Sequence, residues 1–158
     1  MHLPIVMSKE QLSLENYEKL KIFLGRFTDW YWSRPGMPPE VHPLFVLEAT
    51  ERTSLSNAKS GLQTAVNDMV EDTANWTPEA VAEADAKFAA AGTFTLSEVR
   101  RRYSKKYLQI LKRGVVRSET EYYLLKGIRD GGGMETGATE GQQIEALMAA
   151  FEAKIMRL

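Results

Sequence analysis

Apolar side chains recur at steps of three and four along most of this chain, the spacing that gathers them on one face of a helix. Leu14, Tyr17, Leu20, Leu24, Phe27 and Tyr31 form the first such stripe. Ser13, or Ser8 for an earlier start, offers a side-chain oxygen to cap it. Arg34-Pro35-Gly36 ends it, because a residue before proline is driven out of the α region. Pro38 and Pro39 stiffen the connection that follows. The apolar block 44–47 comes after Pro43, a residue suited to a first helical position, so it predicts a further helix. Leu55, Ala58, Leu62, Val66, Met69 and Trp76 continue in helical register. Ser54, Ser56, Asn57 and Gly61 weaken the start of that stripe and predict a break near 52–56.

The second half is punctuated by start signals. Thr77-Pro78-Glu79 combines a cap, a proline at a position whose amide needs no partner, and a carboxylate at the positive end of the helix dipole. Val81, Ala84 and Phe88 give that helix its apolar face, and Gly92 stops it. Thr95 with Glu98, and Ser118 with Glu121, have the spacing of capping boxes. The first opens a helix with Leu96, Val99, Tyr103, Ile110 and Leu111 inside, ending at Gly114. The second opens one that turns Tyr122, Leu124, Leu125 and Ile128 inward in some combination. Gly131, Gly132, Gly133, Gly137 and Gly141 then read as a flexible linker. Ile144, Leu147, Met148, Phe151, Ile155 and Leu158 form a last stripe. No alternating pattern predicts a strand. The expectation is an all-α bundle of about five to seven helices. Residues 1–130 form the bundle, 131–141 a glycine-rich tether, and 142–158 an amphipathic helix docked on the same domain or on a partner protomer.

Composition narrows the function classes. At 158 residues, with 44 % apolar and 26 % charged side chains, the chain suits one domain with one core. It has no cysteine, which excludes disulfides, thiol catalysis and thiolate metal sites. No apolar run approaches the roughly 18–20 residues of a membrane span, and the first residues lack a basic region before their short apolar run. A soluble cytoplasmic protein is expected. His2 and His42 are the two histidines, and capping or solvent contact is the expected role for His42. Asp68 and Asp72 lie one turn apart, but two carboxylates fall short of the oxygen set a hard cation takes. No catalytic residue, metal site or cofactor is predicted.

Charge supplies the candidate site. The stretch 99–117 holds Arg100, Arg101, Arg102, Lys105, Lys106, Lys112, Arg113 and Arg117, with Tyr103 and Tyr107 among them and no acidic residue. The whole chain nevertheless carries a formal charge of -1. A nearly neutral protein with one concentrated basic helix must set that helix against a partner or against its own acidic part, 61–86 being the candidate. As a binding surface it favours an acidic protein partner; nucleic acid is the alternative, set against a pI near 6.2. Trp30 and Trp32, about 200° apart on a helix, are the candidate aromatic anchor. The function expected is a non-enzymatic protein-binding module, an inhibitor or immunity-type protein in one concrete form. A homodimer through the C-terminal helix is a further expectation.

Overall fold

In the computed structural model residues 12–131 and 139–157 are described. The protein is all-α, with no strand among the described residues. Eight helices follow in order: α1 (Leu14–Phe27), α2 (Pro43–Glu51), α3 (Leu55–Asp72), α4 (Pro78–Ala90), α5 (Leu96–Tyr103), α6 (Lys105–Arg113), α7 (Glu119–Asp130) and α8 (Thr139–Met156). A π turn (Thr28–Trp32) extends α1, and a 3₁₀ turn (Pro39–Val41) precedes α2.

The starts fall where the polar signals lie. Ser13, Ser54, Thr77, Thr95 and Ser118 each accept a backbone N–H from three residues ahead. His42 caps α2, its Nδ1 accepting from the Leu44 amide at 3.0 Å while Nε2 lies 3.0 Å from Asp29 Oδ1. Thr95 and Glu98 complete a reciprocal capping box. Ser118 makes only half of one, because the Glu121 carboxylate turns to the amide of Arg117. Gly114, at φ +78, ends α6 in the left-handed conformation that glycine adopts without penalty.

The count exceeds the expected five to seven because the basic segment is two helices. Ser104 stands between them in extended conformation, at φ -76 and ψ 115, and is buried. Its Oγ accepts the Tyr107 amide at 3.1 Å, while Asn67 Oδ1, reaching over from α3, accepts the Lys105 amide at 2.9 Å. A serine and an asparagine thus supply the partners that a continuous helix would have found in its own backbone.

The break divides the interior in two. Residues of α1 to α5 enclose one apolar cluster, in which Leu20, Phe23, Leu62, Val66, Phe88 and Leu96 are fully buried. Residues of α6, α7 and α8 enclose the other, centred on Tyr107, Ile110, Leu125 and Ile144. The helix α5 also packs against α7, so it joins the two. Helix α8 begins at Thr139 rather than 142, and includes Gly141. It lies on α7, with Ile144, Leu147 and Met148 buried. Gly131, the first residue of the expected tether, is the C-cap of α7. Its amide donates to the Gly127 carbonyl at 2.9 Å, and its Cα side faces Ser97. Most of the expected tether, 132–138, lies outside the described residues.

Candidate functional site

The eight basic side chains of 99–117 do not form one surface. Arg100 is buried at 5 % exposure. Its Nε and Nη2 donate to Thr73 Oγ1 at 3.2 and 2.8 Å, and Nη2 also reaches the Thr73 carbonyl at 2.5 Å. Thr73 is the C-cap of α3, so the guanidinium closes the negative end of that helix. Burial lowers the Arg100 pKa, and nearby Asp85 opposes the shift. A Cβ at Gly127 would lie 3.4 Å from Nη1, in van der Waals contact with the cation.

Arg101 points the other way, toward α8. Its Nη2 lies 3.1 Å from Glu140 Oε1, and the other oxygen of Glu140 accepts the Tyr107 hydroxyl. Tyr107 is fully buried, and burial together with this carboxylate raises its phenol pKa far above the usual value. Arg102 is exposed but stacks its guanidinium over the Phe94 ring, 5.0 Å from the centroid. Arg113 pairs with the buried Glu121 and also donates to the Val115 carbonyl. Each of these arginines bonds or stacks within the fold. The acidic stretch expected as their complement contributes Asp85 near Arg100, while the paired carboxylates belong to α7 and α8.

Lys105, Lys106, Lys112 and Arg117 remain. All four are exposed, and among the described residues none makes an ion pair. At 100° per residue, Lys105, Lys106, Gln109 and Lys112 fall within about 120° of the α6 surface, opposite buried Tyr107, Ile110 and Leu111. Arg117 continues the charge just beyond the helix end. Helix α6 therefore turns one face into the second apolar cluster and a cationic face to water.

The tyrosines of the segment are not on that face. Tyr107 is inside, and Tyr103 is half-buried against Phe94, at 6.2 Å between ring centroids. Trp30 and Trp32 are both half-buried, as members of the π turn. Trp30 packs 5.0 Å from Phe88 with the Lys87 ammonium 4.4 Å above it, and Trp32 Nε1 donates to Asp72 at 2.7 Å. The second of the two carboxylates weighed as cation ligands is thus a hydrogen-bond acceptor for an indole.

Other polar groups are arranged for structure. Tyr17 donates to Glu51 at 2.5 Å, and Lys21 Nζ lies 3.0 Å from the same carboxylate. Burial raises the Tyr17 pKa, and the Tyr17 hydrogen bond leads in lowering that of Glu51. Shifts in these directions move both groups away from proton transfer near neutral pH. Among the described residues no group of three or more His, Cys, Asp or Glu could hold a metal, and no helix is long and apolar enough to cross a membrane.

No family model matches the chain, and neither the curated proteins nor the solved structures contain a match to it. The reading of the site rests on its own residues. The sequence pattern missed the pins on either side of the basic run: Thr73 for Arg100, Glu140 for Arg101 and Tyr107, and Asp85 for Ser97. Gly131, the C-cap of α7, was the available signal, since a Cβ there would meet Ser97 of α5.

Proposed function

We propose that this protein is a non-enzymatic, cytosolic protein-binding module that masks an acidic partner through the exposed face of α6, as an inhibitor or immunity-type protein does. The observation that carries the reading is the cationic arc of Lys105, Lys106 and Lys112 on a helix whose other face is anchored in a core, with Arg117 beside it. Such a face is solvent-facing on a helix whose other side is buried. It attracts an acidic surface at long range and is screened by salt. A protein partner suits it better than nucleic acid, because Tyr107 is packed inside and Tyr103 is half-buried away from this face, leaving no tyrosine there to stack on bases.

The test uses the full chain beside a variant carrying Lys105→Glu, Lys106→Glu, Lys112→Glu and Arg117→Glu. Both are immobilised and exposed to nuclease-treated cell extract; any captured protein is purified and titrated against each by calorimetry. An acidic protein held by the wild type and lost by the variant is the expected result. Binding of the wild type to a duplex or single-stranded oligonucleotide at physiological salt would favour the nucleic-acid reading. A partner kept by the variant would place the interface elsewhere, with Trp30 and Trp32 next in line.

A further inference from the structure

Helix α8 runs past the apolar cluster that holds it. Ile144, Leu147 and Met148 are buried, whereas Ile155 is 43 % and Met156 86 % exposed. These two side chains, with Tyr122, Tyr123 and Phe151, line a groove of about 220 Å³ between α7 and α8. That is below the roughly 300–1,000 Å³ of small-molecule sites. It suits a large side chain brought in by a protein segment. Tyr123 is 60 % exposed on a helix whose Leu125 and Ile128 are buried. Exposed aromatic and methionine side chains gathered at one place mark an interaction surface.

The groove has a fixed floor and a rim of one sign. Tyr122 rests on Phe151, with ring centroids 5.4 Å apart, and its hydroxyl donates to Glu152. The charged side chains lining the groove are Glu119 and Glu152, both carboxylates. We propose that this groove docks a basic amphipathic segment of another protein. One large apolar side chain would enter between Tyr123, Phe151 and Ile155, and Lys or Arg would meet Glu119 and Glu152. Charge selects this occupant, since an acidic segment would bring like charges together beside an apolar floor. The same argument disfavours a second copy of this chain. On the α8 surface Lys154 lies about 160° from Glu152. A two-fold pairing of groove on groove would set the lining carboxylates Glu119 and Glu152 of the two copies together. The groove is formed by α7 and α8, separate from the α6 face, and the proposal does not depend on that face.

The experiment titrates the isotope-labelled full chain with short helical peptides at physiological salt, followed by amide resonances. One peptide carries leucines on one face and lysines on the other. A second replaces the lysines by glutamates, and oligolysine supplies charge without an apolar face. The leucine–lysine peptide is expected to shift resonances of 119–123 and 151–156, and to bind about tenfold or more tighter than either control. Glu119→Lys with Glu152→Lys should weaken it by a similar factor. Tyr123→Ala should weaken it without moving the denaturation midpoint, and the α6 charge reversals should leave it unchanged. Equal binding of the leucine–glutamate peptide, or shifts confined to other residues, would overturn the proposal. So would a dimer, seen by light scattering, that Met156→Glu dissolves.

Discussion

Arg101 and Glu140 stand 39 residues apart in sequence and 3.1 Å apart in space. Their pairing ties the end of α5 to the first turn of α8, and Glu140 also receives the hydroxyl of buried Tyr107. This is a carboxylate near a helix N-terminus, where the dipole favours it, with a cation and a phenol as partners. Removing it takes the acceptor from the buried Tyr107 hydroxyl and one carboxylate from Arg101. Glu140→Ala should therefore destabilise the protein by about 2–3 kcal/mol, read from denaturant midpoints. A change within a few tenths of a kcal/mol would show that α8 is held by its apolar face alone.

Gly131 tests the junction of α5 and α7 from the other side. A Cβ there would run into Ser97, whose hydroxyl and amide are already engaged by Asp85 at 2.5 and 3.0 Å. Because Ser97 is buried and bonded, it has little room to yield. Gly131→Ala should cost roughly 1–3 kcal/mol through overpacking, although a backbone at φ -73 would otherwise accept alanine. Unfolding of the variant at an unchanged or higher midpoint would contradict the packing described.

Thr95 and Ser118 separate a full capping box from half of one. Each substitution to alanine should destabilise by about 1 kcal/mol. Glu98→Ala should add a comparable loss only at the first helix start, because its carboxylate accepts the Thr95 amide at 2.9 Å. Double-mutant cycles on the two pairs measure this. Equal coupling in both would mean that Glu121 also closes on its own cap.

Those caps were legible because they are local. A hydroxyl, an amide three residues ahead and a glycine at the end determine them, and so do the apolar stripes of α1, α3 and α7. The break at Ser104 was not legible. A serine inside a helical pattern is unremarkable until Asn67, from another helix, takes the amide of Lys105. The basic run misled for the same reason. Its eight charges are alike in sequence, yet Thr73, Glu140 and Glu121 engage three of them from distant or later elements. Local pattern yields helices and their ends. Which charges face inward depends on contacts that only the packed chain makes.

Acid should weaken the fold through Glu121. Burial pushes its carboxyl up, but the Arg117 amide and the Arg113 guanidinium outweigh this and hold it below the usual carboxylate range. A group lowered in this way adds stability above its unfolded value, about 4.3 for glutamate. That stability is lost as pH falls through the folded value. Stability measured against pH should therefore decline below about pH 4.3 less steeply in Glu121→Gln than in the wild type. Matching slopes would remove Glu121 from the acid response.

The central claim is that the basic segment is divided, with Arg100 and Arg101 holding helices together and Lys105, Lys106, Lys112 and Arg117 facing water. Chemical denaturation of two variants tests it most directly. One carries Arg100→Met with Arg101→Met, and the other carries glutamine at the four exposed positions. The account predicts a loss of more than about 3 kcal/mol in the first, where buried partners are orphaned, and a change within about 1 kcal/mol in the second, where surface charges are removed. A first variant as stable as the wild type, or a second that unfolds, would contradict it.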